Sequence, residues 1–146
     1  MKTVTIEQFM SFKPCYSEKR VCELAGDKTE WTALDVLQLE KVPSSDRLWA
    51  VLREEFIDAP ILHEFACRCA ERALALVDNP DQRSIDAIAA KRAWMRGEIT
   101  DEQLYSAGSA AWSAARSAAR SAAGYAADAA RSEQIAMLIE MLEESR

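Results

Sequence analysis

The sequence predicts an all-α fold: a single-domain helical bundle in which about six shorter helices pack around one long Ala-rich C-terminal helix. Three observations carry that prediction. The stretch Ser109 to Asp128 reads as successive tetrads, Ser-Ala-Ala-Trp, Ser-Ala-Ala-Arg twice, Ser-Ala-Ala-Gly and Tyr-Ala-Ala-Asp, and no proline interrupts it. Ala has the best intrinsic helix propensity, so the run is helical. Helix-start signals recur ahead of short apolar runs, and no segment alternates with period two in β-branched residues, so no sheet is expected.

Taken in order, Thr5-Ile6-Glu7-Gln8 is a capping-box pattern that opens a helix from Ile6 to about Phe12, stopped by Pro14. A second helix follows Ser17 and ends at Gly26, where a left-handed cap is cheap for glycine. Thr32-Ala33-Leu34-Asp35 offers another box for a helix to about Glu40. Pro43-Ser44-Ser45-Asp46 starts a fourth helix to about Phe56, in which Leu48, Leu52 and Phe56 recur every four residues beside Trp49. Residues 1–45 thus hold short N-terminal helices and residues 46–99 the core helices.

Asp58-Ala59-Pro60, an N-cap acid followed by an early proline, opens a helix to Val77. Its apolar arc of Ile61, Leu62, Phe65, Ala66, Cys69, Ala73, Leu76 and Val77 is wide, which places it deep in the bundle. Asp78-Asn79-Pro80-Asp81 is a tight connection, and the next helix ends at Gly97. Thr100-Asp101-Glu102-Gln103 caps the long helix, which occupies residues 100–145. A tetrad advances about 400° on a helix of 3.6 residues per turn, so the Ala stripe winds by about 40° per repeat and offers a close approach to several neighbours. Gly108 and Gly124 each cost this helix about 1 kcal/mol relative to Ala, a cost consistent with letting another backbone come near.

Apolar residues make up 49% of the 146 and charged residues 29%, which excludes disorder and fits a globular domain with a real core. A net charge of -6 argues against direct contact with nucleic acid or an anionic membrane, since both favour a basic face. It suits a basic protein partner. No signal-peptide pattern and no apolar run near 18 residues occurs, so the expected location is a reducing cytoplasm in which Cys15, Cys22, Cys67 and Cys69 stay as thiols.

Candidate chemistry is sparse. His63 and Cys67 stand i, i+4, and with Cys15 and Cys22 would make a Cys₃His zinc set, but no CxxC knuckle supports it. The plainer reading makes Cys69 core, Cys67 and Cys22 half-buried, and His63 a satisfied polar group at the core edge. A cysteine nucleophile would need an orienting group and an oxyanion loop that the sequence does not show. Glycine-rich phosphate loops, HExxH and GxSxG are also missing, so neither enzyme activity, nor a cofactor, nor a metal is expected.

The residues left for recognition are surface candidates. Arg92 falls inside the apolar arc of its helix and needs a carboxylate partner or a path for its head to solvent. Trp94 points the other way, either into a second packed side or outward as a binding residue. Trp112, Arg116 and Arg120 form an i, i+4, i+8 strip that is either a solvated face or partner-facing. Met137 and Met141 lie off the Ile135, Leu138, Ile139, Leu142 stripe and point to a second packed neighbour or an adaptable docking surface. Glu140, Glu143 and Glu144 add an acidic fringe at the negative end of the helix dipole.

Phe65-Ala-Cys-Arg-Cys-Ala-Glu-Arg-Ala-Leu74, then Lys91-Arg-Ala-Trp-Met-Arg-Gly-Glu-Ile-Thr100 and the Ala-rich helix, resemble the Imm5-like immunity proteins and small proteins of phages and prophages. The likeness covers about Asp46 to Ala130. It implies an all-helical, non-enzymatic protein that acts by binding another protein. Such a protein would neutralise a toxin or interfere with a bacterial defence component, such as a CRISPR or other nuclease complex, in the host cytoplasm. No binding residue is carried over by the resemblance. A different class of role is a self-associating structural protein, a homodimer built on the small-residue face or on Met137 and Met141.

Overall fold

The computed structural model describes the backbone of residues 1–118 and 126–145, and the side chains of residues 1–111 and 130–145. Among them are eight helices and two short strands, and the fold is all-α. Two compact units share the chain, Met1–Leu62 with Asp128–Arg146, and His63–Ala127.

The first unit starts with strand β1 (Thr3–Thr5), which pairs antiparallel with β2 (Glu30–Thr32) so that Val4 faces Trp31, both buried. The sequence predicts no sheet. Three-residue strands are too short to display the alternation by which a strand is recognised. The last residue of each strand caps the helix that follows. Thr5 Oγ1 accepts the Gln8 N–H at 3.2 Å while Gln8 Oε1 accepts the Thr5 N–H at 2.9 Å, opening α1 (Ile6–Ser11). Thr32 and Asp35 repeat the arrangement at 3.2 and 2.9 Å to open α3 (Ala33–Leu37), and the Lys28 ammonium pairs with the same Asp35 carboxylate. Between them α2 (Glu18–Ala25) begins at the Ser17 cap and ends at Gly26, whose φ of 58° is the left-handed geometry expected there.

Helix α4 (Ser44–Val51) stops five residues before the predicted end. Leu52 adopts φ -75° and ψ 62° and the Arg53 N–H bonds the Val51 carbonyl at 2.7 Å, an inverse γ-turn that ends the helix. The four-residue ladder is therefore broken. Leu48 and Phe56 are buried, but Leu52 and Trp49 are exposed, and Phe56 reaches the core from a turn rather than a helix face. Arg53 covers both aromatic rings nearby, its guanidinium 4.6 Å from the Trp49 centroid and 4.3 Å from that of Phe12.

The long run expected from Thr100 to about Glu144 is described as α7 (Asp101–Ala118) and α8 (Ala126–Glu144), and residues 119–125, with Arg120 and Gly124, lie outside the described residues. The side chains of the tetrads from Trp112 onward lie outside them too. Helix α8 buries Ile135, Met137, Leu138, Met141 and Leu142 in the core of the first unit. At 100° per residue these five span one continuous arc of about 160°, so the methionines widen the apolar stripe rather than forming a separate one. Burying a side chain of this size is worth about 1.5–3 kcal/mol, so α8 is a main contributor to that core.

The second unit holds α5 (Ala59–Ala75) from His63 on, α6 (Gln82–Met95) and α7, with α6 packed on α7. The wide arc of α5 predicts a deeply buried helix, yet among its residues only Phe65 and Cys67 are buried. The helix ends at Ala75, so Leu76 and Val77 leave the apolar arc and enter the turn, where they are 82% and 39% exposed. The cysteines depart from expectation in both directions: Cys67, expected half-buried, is buried, Cys69, expected in the core, is half-buried, and Cys22, expected half-buried, is exposed, as is Cys15.

Candidate protein-binding site

Three caps set the frame of the second unit. Asp81 caps α6, its carboxylate accepting the Arg83 N–H at 2.9 Å and the Arg83 guanidinium at 2.9 and 2.7 Å, which holds the carboxyl down to about 2. At the other end Gly97, φ 74°, donates its N–H to the Trp94 carbonyl, and Glu98 donates to Ala93, both at 2.9 Å. That pair of bonds is a Schellman motif, the reason the helix stops at Gly97. Thr100 and Gln103 then form a capping box at 3.2 and 2.9 Å that starts α7.

Helices α5 and α6 are joined by ion pairs. Arg92 on α6 donates from Nε to Glu64 Oε2 at 3.0 Å and from Nη2 to Glu64 Oε1 at 2.9 Å, and its Nη1 and Nη2 also reach Glu71. Glu64 is shared with Arg68 at 3.3 Å. The Arg92 guanidinium holds both carboxyls below their ordinary range, and both carboxylates raise the guanidinium. The partner that Arg92 needs is thus supplied twice. Glu64 and Glu71 are spaced i, i+7 and so share one face of α5, a signal present in the sequence but not used by the surface candidates.

Trp94 is half-buried. Its indole N–H donates to Asp101 at 2.6 Å, the His63 ring meets it edge-on with centroids 5.3 Å apart, and the Lys91 ammonium lies 4.0 Å from its centroid. His63 is therefore engaged with an aromatic ring. Among the described residues no three His, Cys, Asp or Glu side chains gather as metal ligands would. Burial pushes the Cys67 and Cys69 thiols up, away from nucleophilic thiolate character.

Two apolar grooves lie in this unit. One, of 350 Å³, is bounded by Leu74, Ala75, Pro80, Ile85, Ile88 and Ala89, with Glu71 and Arg92 at its polar edge. The other, of 520 Å³, is lined largely by Ala66, Ala70, Ala73, Leu74, Ala87, Ile88, Gly108 and Ala111. Leu76 and Val77 in the α5–α6 turn and Ile85 near the start of α6 are all more than a third exposed, and Tyr105 on α7 is 77% exposed. Among the described residues of this unit, Leu76, Val77, Ile85 and Tyr105 are the large apolar side chains left exposed.

A family model described as Imm-5 like putative immunity protein matches residues 58–138. The chain belongs to this family. No curated protein and no solved structure matches it. The match takes in α5, α6, α7 and most of α8, so the Imm5-like segment contains the Arg92 bridge, the Trp94 cluster and both grooves. Of the sequence candidates, Trp94 lies in the second unit, while Met137 and Met141 are buried in the first. Trp112 and Arg116 fall on α7 with side chains outside the described residues, and Arg120 lies outside altogether. Leu76, Val77, Ile85 and Tyr105 are surface residues that the reading by periodicity missed, because it assigned the first two to a buried arc. No helix among the described residues is long and apolar enough to cross a membrane.

Proposed function

We propose that this Imm5-like protein is a non-enzymatic, stoichiometric inhibitor that binds another protein through the α5–α6 hairpin. The observation that carries the reading is the exposed apolar trio of Leu76 and Val77, which follow α5, and Ile85, which lines the 350 Å³ groove with Leu74 and Ala75. An apolar centre with charged side chains at its rim is the anatomy of a protein interface. Family membership supports a protein that acts by neutralising another. The net charge of -6 favours a target with a basic functional surface, such as a toxin nuclease or a nuclease complex of a bacterial defence system opposed by a phage-borne protein.

The test is a pull-down with tagged protein against candidate toxins and defence nucleases, washed at low and then near-molar salt, alongside the variant Leu76→Asp/Val77→Asp/Ile85→Asp. One partner at 1:1 stoichiometry, inhibited on binding, weakened by salt and lost with the triple variant, is the expected result. Equal retention by the variant would move the interface elsewhere, and no inhibition by any stoichiometric complex would end the inhibitor reading.

A second reading is self-association. The Ala- and Gly-lined 520 Å³ groove favours it, because small side chains let a helix of another copy come close. Light scattering at high micromolar concentration separates the two readings: a monomer removes self-association and leaves the inhibitor standing.

A further inference from the structure

The first unit contains a cavity of 290 Å³ that lies wholly within residues 9–50, ahead of the family-matched segment. Its walls are aromatic and aliphatic. Phe9 meets Trp31 and Trp49 edge-on, with centroids 5.9 and 6.5 Å apart, and Val21, Val36 and Val42 close the apolar side. At one pole stand Tyr16, Ser45, Asp46 and Arg47. An apolar pocket with a few converging polar groups is the usual form of a small-molecule site.

We propose that this cavity binds a small planar aromatic molecule of two fused rings carrying one N–H or O–H donor, with indole as the simplest example. Size sets the ring count. A dry apolar cavity of about 150 Å³ holds benzene, and this one has nearly twice that volume, room for a bicycle but not for a nucleotide. The rings of Phe9, Trp31 and Trp49 supply edges and faces against which a flat π-system packs.

The polar pole sets the donor. Tyr16 spends its only hydroxyl proton on Asp46 Oδ2 at 2.7 Å, and Ser45 spends its own on Oδ1 at 3.2 Å. What remains on Tyr16 Oη and the Asp46 carboxylate is accepting capacity, which a ligand N–H or O–H can satisfy. Arg47 is held by its Nη1 bond to the Leu37 carbonyl at 2.6 Å, while its buried Nε has no protein partner. Arg47 and Asp46 both line the cavity, so the formal charges of its polar residues cancel, which suits an uncharged ligand better than an acid or an amine.

The experiment is calorimetric titration of the full chain with indole and with 1-methylindole, which has the same rings and no donor. Indole is expected to bind saturably at one site, about fivefold tighter than 1-methylindole, the value of one net hydrogen bond. Val42→Phe, which fills the cavity, should weaken both ligands at least about tenfold. Tyr16→Phe/Asp46→Ala, which removes both acceptors, should bring indole down to the level of 1-methylindole and leave the latter unchanged. Leu39→Phe, at another point of the wall, replaces Val42→Phe if circular dichroism shows that variant unfolded. No saturable binding of indole up to millimolar concentration, or binding indifferent to the cavity-filling variant, would overturn the proposal. Failure here leaves the inhibitor reading intact, since that rests on residues beyond 58.

Discussion

Arg92 grips Glu64 with two parallel hydrogen bonds, Nε to Oε2 at 3.0 Å and Nη2 to Oε1 at 2.9 Å, across the gap between α6 and α5. The fork has a second carboxylate behind it in Glu71, so one guanidinium on α6 ties two side chains of α5. A lone surface ion pair is worth little, but a bidentate pair within a network and only 28–29% exposed holds its geometry. Arg92→Ala is expected to cost about 1–2 kcal/mol in urea denaturation. Arg92→Lys should recover less than half of that, because an ammonium cannot fork. Equal stability of all three proteins would show that the pair is ornamental.

The same contact gives a pH dependence with a definite sign. Both carboxyls lie below their ordinary values when folded, so their contribution is complete above the unfolded pKa of about 4.3 and is lost as pH falls through the folded values. The difference in thermal midpoint between wild type and Arg92→Ala should be constant from pH 7 to about 5 and shrink towards pH 3. A difference that grows on acidification would contradict the assignment.

Gly97 and Gly108 should respond to alanine with opposite signs. A Cβ at either position meets nothing within 4 Å, so backbone conformation decides. At Gly97, φ 74° is strained for any other residue, and Gly97→Ala should destabilise by about 1 kcal/mol. Gly108 sits inside α7, where Ala is the better helix former, and Gly108→Ala should stabilise by about 0.5–1 kcal/mol. Chemical denaturation of the two variants checks both.

Thr32 ends β2 and caps α3 at once, so its hydroxyl supports two elements. Thr32→Ala should cost about 1 kcal/mol, and Thr32→Ser should restore most of it because serine is an equivalent cap. Amide exchange at Asp35, whose N–H bonds the hydroxyl, gives a local readout that global stability does not.

Thiol labelling should sort the cysteines. Cys15 and Cys22 are exposed and should react with a disulfide reagent at once, Cys69 more slowly, and Cys67 only on unfolding, since burial both blocks access and raises its thiol. Rapid labelling of Cys67 would mean that the packing around α5 opens readily.

Local chemistry was the most legible part of the sequence. Thr5, Ser17, Thr32, Asp81 and Thr100 begin helices where their side chains announce it, and Gly26 and Gly97 end them, because a cap is decided within four residues. What periodicity could not see was where an apolar residue leaves its helix. Leu52 continues a four-residue rhythm and Leu76 an apolar arc on paper, but they stand in a turn and in solvent, and Phe56 is buried from outside any helix. The candidate interface inherits that blindness: Leu76 and Val77 look like core because nothing in the spacing marks the helix end at Ala75. The Arg92 bridge was half legible, since an arginine inside an apolar arc demands an acid, while the choice of Glu64 and Glu71 came from tertiary packing.

The first unit is discontinuous, combining Met1–Leu62 with the residues from Asp128 on, and it buries five side chains of α8 among the others. On the ribosome the N-terminal strands and short helices emerge first and must wait, with part of their apolar surface bare, while some sixty-five intervening residues are translated. At about 5–20 residues per second that delay is several seconds, long compared with helix formation. The second unit is contiguous and can fold during the wait. Vectorial synthesis therefore favours completion of the inner segment before the outer one, and a nascent chain stalled near residue 127 should present the hairpin folded while its N-terminal part remains open to proteases.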